Sequence, residues 1–160
     1  MKIAVLSDTH SRSLSKKILD NFKTVDLIIH AGDFCSIEDL NELKKFGKVE
    51  AVYGNMDGSS LRNILPKSQI ISCESFLIGL FHGEGAPKFL LDRVKKEFKD
   101  KKVDAIIFGH SHQPMNEKIG NVLFFNPGSA TDTIFAPFCS YGILDITDRI
   151  EGRIIKIDER

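Results

Sequence analysis

The sequence of 160 residues contains no tryptophan, only three cysteines and no excess of charge of either sign. Cys35, Cys73 and Cys139 are far apart and odd in number, so they predict neither a disulfide framework nor a CxxC zinc site. Lysine and arginine together number 22, as do aspartate and glutamate. The sequence therefore lacks the excess of basic residues that is typical of proteins that bind nucleic acid or a membrane surface. We therefore expect no stable binding to nucleic acid, although this balance does not exclude a nucleotide as a substrate.

Long apolar runs and targeting signals are also absent. No apolar stretch approaches about 18 residues, the length needed to cross a bilayer. The chain starts with a strand-like segment instead of a charged and then apolar leader. We expect a cytoplasmic protein without membrane association, because unpaired cysteines suit a reducing compartment. The length and a hydrophobic content of 42% favour one folded domain over residues 1–160.

Short apolar segments rich in β-branched residues predict a fold built on strands. In the first half of the chain these strands alternate with amphipathic helices at 13–22 and 37–46, which predicts two βαβ units with parallel strands. The second half is mostly strand, apart from a helix at 87–99. We therefore expect a four-layer α/β/β/α sandwich, in which two mixed β-sheets are flanked by helices. The predicted strands cover residues 3–6, 27–30, 49–53, 69–72, 76–81, 103–108, 113–119, 122–125, 141–146 and 153–157.

Residues with metal-binding side chains follow directly after five of the apolar segments. Four of the five histidines in the chain belong to this set. Ligands of a sheet that is packed on both faces bind outside the strand ends, so these residues predict one shared site. Seven donors are too many for a single tetrahedral zinc, but they suit two metal ions with a bridging carboxylate. The seven residues are Asp8, His10, Asp33, Asn55, His82, His110 and His112.

The order of these motifs resembles that of the calcineurin-like metallophosphoesterase superfamily. The matching segments are SDTH, GD, GN, HG and GHSH, and the segment NPGS at 126–129 is similar to the small YfcE-like phosphodiesterase branch. The resemblance implies two divalent transition-metal ions, with manganese favoured over nickel, iron, zinc or cobalt. The implied ligands of one metal are Asp8, His10 and His112, those of the other are Asn55, His82 and His110, and Asp33 bridges the two.

The reaction implied by the resemblance is hydrolysis of a phosphodiester. A hydroxide that bridges the two metals would attack phosphorus in line with the leaving oxygen, so no serine or cysteine nucleophile is needed. The implied catalytic residues are Asp33, Asn55 and His82, and the candidates for binding the substrate are Asn55 and Arg12. An Arg12 side chain that only faces solvent is the alternative. The expected substrate is a small or nucleotide-like phosphodiester.

Two positions depart from the pattern of the superfamily. Many relatives have a histidine, thought to protonate the leaving group, where this chain has Met56. A thioether cannot donate a proton, so we expect a preference for leaving groups that are stable as anions, such as aryl groups. Relatives also often carry an Arg-Gly-Gly-type segment after NPGS, whereas residues 134–138 are apolar here. We interpret this apolar segment as a homodimer contact or a lip of the substrate pocket; the alternative is that its phenylalanines fold into the core.

Several assignments have open alternatives at this level. A phosphomonoesterase that uses the same site is one alternative function, and a protein-binding scaffold of the same fold is another. His30 lies outside the ligand pattern and is expected to be buried or to support the site. Asp57 either supports Asn55 or is an ordinary turn residue. Asn126-Pro127-Gly128 is expected to form a turn near the histidine-rich corner.

Overall fold

A computed structural model of the protein describes residues 1–157, apart from the side chain of Lys17. Residues 158–160, which the predicted domain includes, lie outside the described residues. Within residues 1–157, no helix has the length and apolar character needed to cross a membrane. The strands are β1 (Lys2–Leu6), β2 (Leu27–His30), β3 (Val49–Ala51), β4 (Ser68–Cys73), β5 (Phe76–Phe81), β6 (Ala105–Ile107), β7 (Met115–Ile119), β8 (Val122–Asn126), β9 (Ser140–Ile146) and β10 (Ile150–Lys156). The helices are α1 (Lys16–Phe22), α2 (Ile37–Lys44), α3 (Ser59–Arg62) and α4 (Leu90–Glu97), and a 3₁₀ turn (Pro87–Phe89) precedes α4.

The strands form two mixed sheets of five strands each. The first sheet has the order β10-β9-β1-β2-β3, and the second has the order β4-β5-β6-β8-β7. In the first sheet β1, β2 and β3 are parallel, as the two predicted βαβ units require. In the second sheet β5, β6 and β8 are parallel. Each sheet therefore has three neighbouring strands whose carboxyl ends lie along one edge.

The apolar side chains pack in three clusters, one at each interface between layers. Side chains alternate along a strand, so Ile3 and Val5 face the other sheet while Ala4 and Leu6 face the helices. Helices α1 and α2 cover the outer face of the first sheet, and α4 covers the outer face of the second. Strands buried on both faces are apolar at successive positions, which is why their sequences read as continuous runs. The predicted α/β/β/α sandwich is confirmed.

Several element boundaries differ from the prediction. Helix α1 begins at Lys16, after an extended Ser15, and not at residue 13. Ser11 donates its hydroxyl to Asp39 Oδ2 at 2.8 Å and so ties the loop after β1 to α2. Helix α3 was not predicted, because four residues are too few to show a helical period. Strand β3 ends at Ala51, two residues earlier than predicted.

One phenylalanine ring fills the space between the two sheets, next to two glycines. Phe125 in β8 is fully buried between the sheets. Its ring occupies the space that side chains at two glycines of the first sheet would need. A Cβ atom at Gly142 would lie 2.3 Å from Phe125 Cε1, and one at Gly152 would lie 2.7 Å from Cε2. Glycine at these positions of β9 and β10 is therefore a packing requirement.

Phe125→Ala should lower the free energy of unfolding by about 3–5 kcal/mol, because it removes a buried ring and leaves a cavity. Gly142→Ala should also destabilise the protein, since its Cβ would collide with that ring. Phe89→Ala is the matched control, because the Phe89 side chain is 49% exposed. Urea unfolding followed by circular dichroism measures all three variants. A Phe125→Ala protein as stable as Phe89→Ala would contradict this packing.

Candidate metal centre

The seven predicted ligands lie in loops at the carboxyl ends of parallel strands. The loops after β1, β2 and β3 carry the residues from the first sheet, and those after β5 and β6 carry the residues from the second. Because these edges of the two sheets adjoin, the loops converge. The structure brings all seven side chains into one network of polar contacts. They are Asp8, His10, Asp33, Asn55, His82, His110 and His112.

One part of the network consists of Asp8, His10 and His112. His112 Nε2 lies 3.2 Å from Asp8 Oδ1 and 3.3 Å from His10 Nε2. His10 Nε2 lies 4.0 Å from Asp8 Oδ1. These three atoms are within 4.8 Å of one another, so a single cation between them could bind all three.

The other part contains Asp33, His82, Asn55 and His110. His82 Nε2 lies 3.4 Å from Asp33 Oδ2 and 3.9 Å from Asp8 Oδ1. Asn55 Oδ1 lies 3.1 Å from His82 Nε2 and 2.8 Å from His110 Nδ1. The carboxylate common to both compact groups of donors is that of Asp8, because Asp8 also groups with Asp33 and His82. The bridging role of Asp33 stays a prediction.

The histidine rings are held by groups outside the network. His82 Nδ1 donates to the carbonyl oxygen of Ala31 at 2.7 Å, which directs Nε2 toward the carboxylates. His110 has the opposite orientation, since its Nε2 donates to the carbonyl oxygen of Gly85 at 2.6 Å and Nδ1 faces the network. Metal-binding histidines are typically fixed in this way, with one ring nitrogen donating outward and the other free to bind.

One buried oxygen gives a direct test of whether a cation fits. Asp8 Oδ1 is the only buried side-chain polar atom without a hydrogen-bond partner in residues 1–157. Its neighbour Oδ2 accepts from Ser7 Oγ at 2.6 Å and from the backbone N–H of His110 at 3.0 Å. These two bonds turn Oδ1 toward the histidine nitrogens. A buried carboxylate oxygen without a partner is costly, and a divalent cation would remove that cost, so the donor set fits a metal.

The charges in the network also favour a cation. Burial alone would raise the pKa of Asp8, yet the close approach and charge of His112 and the charge of His82 lower it below its ordinary value. In return, the Asp8 carboxylate and then that of Asp132 raise the pKa of His112 to about 9, against the effect of burial. The pocket thus stabilises positive charge, and a bound metal would compete with the proton for the same nitrogen.

Backbone strain is concentrated at the same residues. Eight non-glycine residues among the described ones have positive φ, and five of them are predicted ligands. Left-handed backbone is disfavoured for residues with a Cβ atom and costs on the order of 1–3 kcal/mol each. Such strain persists where surrounding contacts enforce it, and it is common at functional sites. The five ligands are Asp8, His10, Asp33, His110 and His112, with φ between 48° and 68°.

Two glycines let the loops approach within contact distance. A Cβ atom at Gly109 would lie 1.9 Å from Ser7 Oγ and 2.7 Å from Asp8 Oδ2. A Cβ atom at Gly54 would lie 2.1 Å from Asp33 Oδ1. Any side chain at these positions would displace a carboxylate, so both positions require glycine.

Two further polar residues are buried beneath the centre. Asp57 Oδ2 accepts the backbone N–H groups of Asp33 at 2.9 Å and Gly54 at 2.7 Å, so it joins the loops after β2 and β3. Asp57 is therefore a support for these loops and not an ordinary turn residue. His30 is fully buried, as predicted, and its Nδ1 accepts the N–H of Gly32 at 3.1 Å. Burial lowers the pKa of His30 to about 3, so its ring is neutral.

An open groove of about 320 Å³ lies over the centre. Its rim is apolar on two sides, where Met56, Ile134 and Phe135 are 59%, 72% and 75% exposed. The alternative that the phenylalanines of the 134–138 segment fold into the core is therefore wrong for Phe135, while Phe138 is half-buried. Arg12 also lines the groove, and its side chain is exposed.

No sequence motif indicates Asp132, which accepts a hydrogen bond from His112 Nδ1 at 2.5 Å. Asp132 follows β8, and β8 lies parallel and next to β6, which precedes His112. The order of strands would have pointed to this residue, but the sequence does not reveal that order. Asn126, in the predicted turn, donates its Nδ2 to the carbonyl oxygen of Gly109 at 2.9 Å, which confirms the expected proximity to the histidine-rich corner.

Comparison with known proteins extends these observations. The sequence profile of the calcineurin-like phosphoesterase superfamily domain matches residues 1–149. A probable metallophosphoesterase from Methanocaldococcus jannaschii is 39% identical over 166 aligned positions, and the alignment covers 99% of this chain and 83% of that protein. A phosphodiesterase from the same organism is 31% identical over 171 aligned positions, and the alignment covers 99% of this chain and 100% of that protein.

Solved structures share the fold. One described as a novel archaeal phosphodiesterase has a TM-score of 0.75 and 27% identity, and the match covers 98% of this chain and 100% of that one. Vps29 from Entamoeba histolytica, solved in complex with zinc, has a TM-score of 0.74 and covers 98% of this chain and 99% of its own, but at 24% identity it shows the common fold alone. With a profile that matches nearly the whole sequence and relatives that align along its full length, the chain belongs to the calcineurin-like phosphoesterase superfamily.

Proposed function

We propose that this protein is a metal-dependent phosphodiesterase with a dinuclear centre. The observation that carries the proposal is the network of seven nitrogen and oxygen donors around the unpartnered Oδ1 of buried Asp8. Membership of the superfamily supports hydrolysis of a phosphoric ester. The phosphodiesterase that is 31% identical along its full length supports a diester as the substrate.

We infer that two divalent transition-metal ions occupy the centre, with manganese favoured because the donors are carboxylate, amide and imidazole groups without a thiolate. Once bound, the two ions would supply a nucleophile from water at neutral pH and would offset negative charge on the phosphoryl group. We assign one ion to Asp8, His10 and His112, the other to Asn55, His82 and His110, and the position between them to Asp33.

The chain's own polar groups have distinct roles in this proposal. Asp33 Oδ1 accepts the backbone N–H of Met56 at 2.7 Å, which directs Oδ2 toward His82. Asn55 Oδ1 contacts two histidines, so its Nδ2 is the part that can donate to a phosphoryl oxygen. Arg12 uses Nη1 to donate to the carbonyl oxygen of Thr131 at 2.9 Å, and its remaining donors can bind the substrate.

The groove favours a diester over a monoester. Arg12 is the only lysine or arginine among the residues that line it. A monoester dianion carries one more charge than a diester and would need more cationic contacts. Met56 lies at the rim where a proton donor would be required for a poor leaving group, and a thioether cannot serve. We therefore propose small or nucleotide-like diesters with leaving groups that are stable as anions.

The setting of the protein is part of the same proposal. Cys35, Cys73 and Cys139 are free, which supports a reducing cytoplasmic compartment. We propose one domain over residues 1–160. For the apolar 134–138 segment, a homodimer contact is the alternative to a contact with the substrate. A protein-binding scaffold of the same fold would not need a complete donor set, and here all seven donors are in contact.

Metal-dependent hydrolysis of bis(p-nitrophenyl) phosphate, measured beside p-nitrophenyl phosphate, tests the function. We expect faster turnover of the diester with Mn²⁺. Asp33→Asn should reduce that rate by at least about 10³, because it removes negative charge between two dications. Asp100→Asn is the control, since its side chain is 84% exposed. Manganese binding without turnover of either ester would support the scaffold, and equal rates for wild type and Asp33→Asn would contradict the role of Asp33.

Met56→His should increase hydrolysis of alkyl diesters by up to about 100-fold, because an imidazole at the rim can protonate a poor leaving group. Aryl diesters, which need no acid, should change little. Met56→Leu, which restores an apolar side chain without a proton donor, is the matched control. The comparison is of kcat on methyl and p-nitrophenyl leaving groups. A similar change on both substrates would mean that residue 56 shapes binding instead.

Phe135→Ser should raise KM for aryl diesters several-fold and leave KM for dimethyl phosphate unchanged, if the apolar rim contacts the substrate. The reason is loss of a largely exposed ring beside the groove. Phe89→Ser, an exposed phenylalanine that does not line the groove, is the control. Light scattering of both variants separates a substrate lip from a dimer contact. A change from dimer to monomer with constant KM would reject the lip.

A further inference from the structure

Asp132 has both carboxylate oxygens in use, and it contacts two different parts of the site. The residue is buried in the loop after β8. Oδ2 accepts from His112 Nδ1 at 2.5 Å. Oδ1 accepts the backbone N–H of Ile134 at 2.8 Å, and the N–H groups of Phe135 and Ala136 also reach the carboxylate, each at 3.2 Å. One carboxylate therefore joins a histidine of the centre to the backbone of the groove's rim.

The first contact fixes the ring of His112. With Nδ1 donating to Asp132, Nε2 is the ring nitrogen that faces Asp8 Oδ1 at 3.2 Å and His10 Nε2 at 3.3 Å, and it is the nitrogen that a cation would bind in place of a proton. Because the partner is a carboxylate, the bond also increases electron density on the ring and makes Nε2 a stronger donor to a cation. Asp132 thus acts on the donor atom without touching the position that an ion would occupy.

His112 differs from the other three histidines of the network in the chemistry of this partner. His82 and His110 donate to neutral backbone carbonyl oxygens, and the Nδ1 of His10 lies 3.5 Å from the sulfur of Cys35. Among these four rings, His112 alone has a carboxylate behind it. An anionic acceptor forms a shorter and stronger bond than a neutral one. Removing Asp132 should therefore weaken cation binding mainly at the donors Asp8, His10 and His112.

The second contact fixes the rim. Three successive backbone N–H groups converge on Asp132, in the way that an aspartate caps the start of a turn. Gln113 Nε2 donates to the carbonyl oxygen of Phe135 at 3.0 Å and holds the segment from the other side. The exposed side chains of Ile134 and Phe135 make no part of the apolar core, so these polar bonds determine where the rim stands relative to the histidines.

We propose that Asp132 is a positioning residue, which aligns His112 for a divalent cation and through the same carboxylate sets the place of the Ile134 and Phe135 rim. The statement about the cation rests on the proposed metal-dependent function. The statement about the ring of His112 does not, because its Nδ1 proton can be observed in protein without metal. The two parts can therefore fail separately.

The experiment measures Mn²⁺ affinity by isothermal titration calorimetry for wild type, Asp132→Asn and Asp132→Ala. We expect affinity to fall about 10-fold in Asp132→Asn, which keeps a neutral acceptor, and about 100-fold in Asp132→Ala, which keeps none. Asp39→Ala is the matched control, because its carboxylate accepts two serine hydroxyls near the same loops but contacts none of the histidines. Equal affinity in all four proteins would overturn the proposal.

Nitrogen-15 spectra of the histidine rings in metal-free protein give the second readout. We expect a proton on His112 Nδ1 that is protected from exchange in wild type and in Asp39→Ala, and unprotected in Asp132→Ala. Should wild type bind no Mn²⁺, the metal-dependent function fails, while protection of that proton still supports the alignment of His112. An unprotected Nδ1 proton in wild type rejects the alignment whatever the metal affinity. If Asp132→Ala does not fold, the Asp132→Asn affinity alone decides.

Discussion

The buried carboxylate of Asp8 is the constraint on which the rest of the centre depends. One oxygen is fully bonded by Ser7 and by the backbone of His110, and the other has no hydrogen-bond partner and faces histidine nitrogens. That arrangement exists only because Gly109 has no side chain to occupy the space beside it. Burying a carboxylate oxygen that accepts no hydrogen bond costs free energy of folding, because the oxygen loses its hydration. A bound cation would offset this cost.

The sheets supply the stability that this arrangement requires. Six parallel strands, three in each sheet, end at adjoining edges and deliver their loops to one place. The loops then adopt left-handed backbone at five predicted ligands, at a cost of on the order of 1–3 kcal/mol each. Bonds such as those from Asp33 and Gly54 to buried Asp57 hold the strained loops in place. Burial of apolar side chains in the three clusters offsets the cost of this backbone strain.

The strands and the membership of the centre were predictable because both depend on local sequence. Apolar β-branched runs predicted β2 and β5 to the residue, and the donors at strand ends converge as expected. Individual contacts between other distant segments were not predictable: Ser11 bonds Asp39 in α2, and Asp132 meets His112 only because β8 lies beside β6. The backbone strain at the ligands was also not predictable from the sequence. A glycine can indicate a position of positive φ, but an aspartate or a histidine does not. The bridging position, predicted for Asp33, depends on interatomic distances that no sequence pattern carries.

The number and position of bound ions are the most direct test of a dinuclear centre. Crystals grown with Mn²⁺ and measured at the manganese absorption edge give an anomalous map that does not depend on any assumed ligand. A dinuclear centre should give two peaks, one contacting Asp8 Oδ1 and His112 Nε2 and one contacting His82 Nε2 and Asn55 Oδ1. A single peak, or peaks on other residues with these donors unbound, would contradict a dinuclear centre.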